Sequence, residues 1–229
     1  MQGIIQFGRF IINVQWLVLA ISGTLVYIVL PLRLKAVEPL NKVVQETLVD
    51  SLIIIGFVWK FSLIIFEPVK FVNNPLTLMY FSGGIRGFLL ALVITATYLI
   101  YSSGKQGLSV WTYVDFITAC FLAGTMIYNL IAAVLANQFL LFYGSRSLLA
   151  ALLLLWQIKR FSPIGKPENL NKLLLWFSLG EILIFHFKVP KLTFNNLIWG
   201  FSQQQLLFYA LATFAIVVNL ISGRKSTNL

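Results

Sequence analysis

Val114-Asp115-Phe116-Ile117-Thr118-Ala119-Cys120-Phe121-Leu122-Ala123-Gly124-Thr125-Met126-Ile127-Tyr128-Asn129-Leu130-Ile131-Ala132-Ala133-Val134-Leu135 carries a single formal charge, at its second position, and no proline. A helix crosses a hydrocarbon core of about 30 Å with about 20 mostly apolar residues, and this run supplies them. Working outward, six further stretches have the same character: Phe10–Leu30, Leu48–Phe66, Gly87–Ile100, Ser147–Ile158 with an entry near Phe139, Leu173–Phe187 and Leu206–Ile221. Pro31, Glu67-Pro68 and Pro190 close three of them, and Ser82-Gly83-Gly84-Ile85-Arg86-Gly87 opens the third span of the chain. Phe10–Leu30 lacks a small-residue cleavage site and reads as a retained span. The expected fold is an all-α polytopic bundle of seven transmembrane helices, with residues 1–229 forming one domain.

The composition agrees. Of 229 residues, 59% are apolar and 10% charged, with a mean hydropathy of +0.88. Globular domains average about 45–50% and about 25%. Soluble enzymes, fibrous repeats and nucleic-acid-binding arms are excluded on that ground. The net charge of +10 therefore points to basic loops and anionic lipid headgroups, not to nucleic acid. Alternating the spans places ten basic residues on one side, among them Lys159, Arg160, Arg224 and Lys225, and six on the other. Basic loops favour the cytoplasm, so the N-terminus is expected outside and the C-terminus inside. Cys120 is the lone cysteine, which leaves no internal disulfide and no cysteine-based metal site.

Polar residues within spans are costly, roughly 2.5–3.5 kcal/mol for a charge at a helix centre, so they mark function. With this orientation Gln15, Lys60, Arg86, Asn129, Arg146, Glu181, His186 and Gln203-Gln204-Gln205 all fall in the outer half of the membrane. Such grouping implies a cavity open to the outer leaflet. Several of these residues, and some of their neighbours, also have a plainer reading. Arg86, Arg146 and Lys188 are close enough to span ends to snorkel to the headgroups. Lys60 can pair with Glu181 as a structural ion pair. His186, in Phe185-His186-Phe187-Lys188, suits a hydrogen-bonded place in an aromatic belt. Asp115 reads as a helix-start carboxylate. No H-E-x-x-H, G-x-S-x-G or phosphate-binding glycine loop occurs, so neither a metal nor a nucleotide cofactor is expected. Nor do paired Gly/Pro-broken spans mark an inverted-repeat transporter.

The order of several short motifs resembles the prolipoprotein diacylglyceryl transferase family. Asn74-Pro75-Leu76, Gly83-Gly84 and Arg86-Gly87-Phe88-Leu89 look like that family's N-P-L…G-G-M-S-F-H-G-G-L segment. Gly107-Leu108-Ser109 followed by Asp115-Phe116-Ile117 is similar to G-L-S…D-L-I-A-P. Tyr143-Gly144-Ser145-Arg146 stands where the family has H-P-S-Q, and Gly200–Leu207 resembles G-L-S-M-G-Q-L-L. Trp59–Phe66 parallels the run G-G-R-I-G-Y-V-L-F. There are departures: Arg86 replaces the family histidine, Glu181 stands in place of an arginine, and Tyr128-Asn129 followed by Ala132 replaces the signature G-R-I-G-N-F.

The resemblance implies a multi-pass protein of the plasma membrane. It would bind phosphatidylglycerol and transfer its diacylglyceryl group to a lipoprotein cysteine presented by a prolipoprotein signal peptide. Lys60, Arg86 and Arg146, with Gly83 and Gly84, would hold the phosphate, as basic groups in a partly dry site do. Asn129, Glu181 and His186 would shape or protonate the site. Two alternatives stand beside this one: a catalytically inactive lipid- or partner-binding protein on the same scaffold, and a small-solute transporter.

Overall fold

The computed structural model describes residues 4–7, 10–13, 41–74, 83–135, 139–159, 164–186, 197–198 and 201–226. Seven helices dominate these residues: α1 Asn41–Phe66, α2 Pro68–Asn73, α3 Gly84–Gln106, α4 Val110–Leu135, α5 Leu140–Lys159, α6 Pro167–His186 and α7 Gln203–Ser226. Two antiparallel ribbons accompany them, β1 Ile4–Phe7 with β2 Phe10–Asn13 and β3 Leu197–Ile198 with β4 Phe201–Ser202.

Among the described residues, five helical stretches are long and apolar enough to cross a membrane: Lys42–Phe66, Gly84–Gln106, Val110–Val134, Leu140–Ile158 and Gln203–Leu220. The expected sixth span forms helix α6 but is more polar, with Glu168, Lys172 and Glu181 along it. The expected first span is corrected at its start. Phe10–Asn13 is a strand, with Ile4 opposite Asn13 and Phe7 opposite Phe10. β-branched Ile4, Ile5, Ile11 and Ile12 favour that pairing, and a hydropathy window cannot tell it from helix. The rest of that span, from residue 14, lies outside the described residues. Large apolar side chains such as Leu52, Phe57, Val93, Val134, Leu141 and Phe214 are exposed. Exposed apolar surface on this scale suits lipid, not water. Among the described residues the fold is nearly all helical, consistent with an all-α membrane protein.

The helices start and stop for local reasons. α3 ends at Gly107, whose φ of 67° only glycine adopts without strain, and its N–H reaches the carbonyls of Ser103 and Gly104. Ser109 then opens α4 by accepting the Trp111 N–H on its hydroxyl. α7 opens with a reciprocal cap: the Gln205 N–H donates to Ser202 Oγ, and the Ser202 N–H donates to Gln205 Oε1. Gln205, expected as a polar group of the outer cavity, is thereby spent on its own helix start.

The chain divides into two compact units, residues 37–114 and residues 1–36 with 115–229, the boundary falling inside α4. In the first, α1 and α3 form an antiparallel hairpin. Its two ends are fixed differently. At one, the Gly83 N–H donates to the Trp59 carbonyl, and the Trp59 indole donates to the Gly84 carbonyl at 3.0 Å. The approach there is close, because a Cβ on Gly83 or Gly87 would lie 1.7 or 1.9 Å from Ser62 Oγ. This is the small-xxx-small packing of membrane helices. At the other end, the Gln106 amide donates to Thr47 Oγ1 and Ser102 Oγ while its carbonyl accepts from Tyr113.

In the second unit α6 packs along α7 and against α5. Ala119, Leu122 and Ala123 of α4 meet Leu153 and Leu154 of α5 and Leu173 of α6 in one apolar cluster. Phe142, Ile184 and Phe185 form another, closed by Phe208 of α7.

Candidate functional site

Charged side chains buried in a membrane protein mark its sites, and in the second unit one ion pair stands out. Arg146, on the second turn of α5, places Nε 3.0 Å from both carboxylate oxygens of Glu181 on α6, with the hydrogen bond going to Oε1. Glu181 is 0% exposed, whereas the Arg146 side chain keeps 24% of its surface. The pair is thus buried at its acidic end and open at its basic end. The guanidinium carbon lies 5.6 Å from the Phe142 ring and 5.8 Å from the Phe185 ring, distances at which a cation is attracted to the ring face.

Why this pair forms is readable in the helices. Gly180, next to Glu181, faces Leu149 so closely that a Cβ would come within 2.5 Å of its methyls. α5 and α6 therefore approach at this level, and Glu181 reaches an arginine one turn before Leu149. On its other flank, Ser147 donates to the Met126 carbonyl of α4 at 2.9 Å. Consecutive residues of α5 thus tie it to α6 and to α4 at one level. Asn129 stands three residues beyond Met126 on α4 and is 2% exposed. Its amide donates to the Thr125 carbonyl of its own helix, and its Oδ1 has no hydrogen-bond partner among the described residues. Ser178 Oγ and Glu181 Oε2 on α6 are likewise buried without one. Unsatisfied buried polar atoms are rare and call for an explanation.

Arg146 offers one further feature. Its Nε is committed to Glu181, and among the described residues no acceptor meets either terminal nitrogen. Those nitrogens form the fork edge that matches two oxygens of a phosphate or carboxylate.

The other expected site residues are placed as follows. Lys60 and Arg86 belong to the first unit, at the Trp59–Gly84 end of the α1–α3 hairpin. Arg86 is exposed on the first turn of α3, and Lys60 is half-buried and engaged. The space beside Gly83 is filled by Ser62, and Gly84, with φ of 59°, faces open space. His186 ends α6, and its side chain lies outside the described residues. Glu181, for which Lys60 was one expected partner, is paired with Arg146.

Two expectations about polar residues are corrected. Asp115 is not a helix-start carboxylate, since α4 begins five residues earlier. It is buried, and it accepts from the Gln157 amide of α5 and, at 3.3 Å, from the Gly165 N–H before α6. Polar groups are therefore not confined to one end of the helices. Asp115 with Gln157, and Thr47 with Ser102, Gln106 and Tyr113, are buried or half-buried far along the helices from the Arg146 and Arg86 levels. Asp50, which donor Tyr98 meets at 3.1 Å, also lies within an expected span and escaped the inventory of outer-half polar groups.

Together these features define a class, a polytopic α-helical membrane protein with an Arg–Glu pair between two of its helices, buried at the glutamate. No family model matches the chain, and no curated protein matches it.

Proposed function

We propose that the chain is a phospholipid-binding membrane protein on a scaffold related to the prolipoprotein diacylglyceryl transferases, with Arg146 as the residue that takes the lipid phosphate. One observation carries this reading: a guanidinium held at Nε by Glu181, backed by Phe142 and Phe185, with its terminal nitrogens uncommitted among the described residues. An arginine so held has lost its rotamer freedom before the ligand arrives, which lowers the entropy cost of binding. The test is lipid retention. Protein purified in mild detergent and examined by native mass spectrometry should carry phospholipid. Arg146→Lys, which keeps the charge and a partner for Glu181 but not the fork, should carry about tenfold less. Equal retention by both would remove Arg146 from the lipid site.

A second reading, transfer of the diacylglyceryl group from phosphatidylglycerol to a prolipoprotein cysteine, is favoured by the order of motifs from Asn74 to Leu207. It would use Arg146 for the phosphate and have Asn129, Glu181 and His186 shape or protonate the site. Lipid binding without transfer ranks first because Glu181 is fully buried and already occupied by Arg146. Complementation of a transferase-depleted strain separates the two. A lipidation gel shift would establish transfer, and expressed protein without the shift would leave binding alone.

A further inference from the structure

We infer that the Arg146 subsite reads the phosphodiester of a glycerophospholipid and not the net charge of its headgroup, so that zwitterionic and anionic phospholipids are held equally. The inference rests on the proposed lipid-binding reading and narrows it. Its ground is the electrostatics of the pair. Glu181 lies in direct contact with Arg146 and is wholly buried, so the positive charge is cancelled at 3.0 Å before any ligand is met. An approaching phosphate meets a group of zero net charge, whose long-range field is that of a dipole.

What remains is short-range. The Nε edge is turned to the carboxylate, the rings of Phe142 and Phe185 lie beside the guanidinium, and the terminal nitrogens, unmet among the described residues, form its second donor edge. Those donors recognise two oxygens in one plane. A phosphodiester presents such oxygens whether the group beyond it is a glycerol or an ethanolamine. A bare arginine or lysine, by contrast, would favour the head with the larger negative charge.

The residue that sets this behaviour is Glu181, which touches Arg146 and not the lipid, and is a positioning residue. Making it neutral without changing its shape restores one positive charge and leaves an amide oxygen to accept from Nε. The subsite should then discriminate by charge.

The experiment uses the full chain in detergent, exchanged against equimolar phosphatidylglycerol and phosphatidylethanolamine of matched acyl chains, with bound lipid counted by native mass spectrometry. For the unaltered protein the bound ratio should match the supplied ratio within about threefold, and Glu181→Gln should favour phosphatidylglycerol by about tenfold. A tenfold preference for phosphatidylglycerol in the unaltered protein would overturn the inference while leaving lipid binding intact. So would a Glu181→Gln protein that binds lipid with an unshifted ratio. Absence of any bound phospholipid would instead defeat the reading beneath it. A soluble glycerophosphodiester that displaces the lipid at equal concentration would reassign the fork to a water-soluble ligand.

Discussion

Arg146 and Glu181 are unequal partners, and the inequality has a measurable consequence. Removing the arginine strands a carboxylate with no exposed surface. Leaving such a charge unpaired costs about 3–5 kcal/mol. Removing the glutamate leaves a guanidinium that is part-exposed and can extend towards headgroups, which reduces the loss to about 1–2 kcal/mol. Arg146→Leu should therefore lower thermal stability in detergent more than Glu181→Leu, and the double variant should recover most of the larger loss. Equal losses from the two single changes would mean that the two ends of the pair are buried alike. Asn129 differs from both, because its one hydrogen bond among the described residues is to its own helix. The residue types were legible in the sequence as costly groups kept in apolar runs. Their pairing was not: the expected partner of Glu181 was Lys60, and only the side-by-side placing of α5 and α6 brings Arg146 to it.

At the scale of elements, the glycine segment opening α3 has a packing role that spacing alone only hinted at. Gly83 and Gly87 are four residues apart, on one face, with Ser62 of α1 lodged against both. Gly83→Ala would drive a methyl into Ser62 Oγ, and overpacking of this kind costs about 1–3 kcal/mol. The companion change Ser62→Gly removes the obstructing atoms and should restore most of the melting temperature. If Gly83→Ala melts like the unaltered protein, the hairpin is looser than these contacts indicate. Helix limits show why hydropathy reads cores better than ends. Leu48–Phe66 grew to Asn41–Phe66, and Gly87–Ile100 grew to Gly84–Gln106. Backbone hydrogen bonding continues through polar first and last turns, where an apolar count has already stopped. α6 is the extreme case, since Pro167, Glu168 and Asn169 precede the apolar stretch that begins near Leu173. The β1–β2 ribbon was invisible for a related reason: isoleucine is as apolar in a strand as in a helix.

Over the whole molecule, the membrane character was legible from composition alone, and the helices agree with it. The arrangement of polar groups was only partly legible. Asp115 with Gln157, and Gln106 with Thr47, show that buried polar contacts also fasten helices well away from Arg146. Interhelical hydrogen bonds of this kind contribute about 0.6–2 kcal/mol each in a membrane, so they need no ligand to explain them. What sets the Arg146 level apart is a guanidinium paired with Glu181 at Nε whose terminal nitrogens meet no acceptor among the described residues. The central claim is that a lipid phosphate sits on that guanidinium. The most direct measurement is nitrogen–phosphorus dipolar dephasing by solid-state NMR, on arginine-labelled protein carrying only its tightly held lipid. Two charge-assisted hydrogen bonds would put a guanidinium nitrogen within about 4 Å of phosphorus, giving strong dephasing that vanishes in Arg146→Lys. Dephasing that is absent from the unaltered protein, or that survives the substitution unchanged, would contradict the claim.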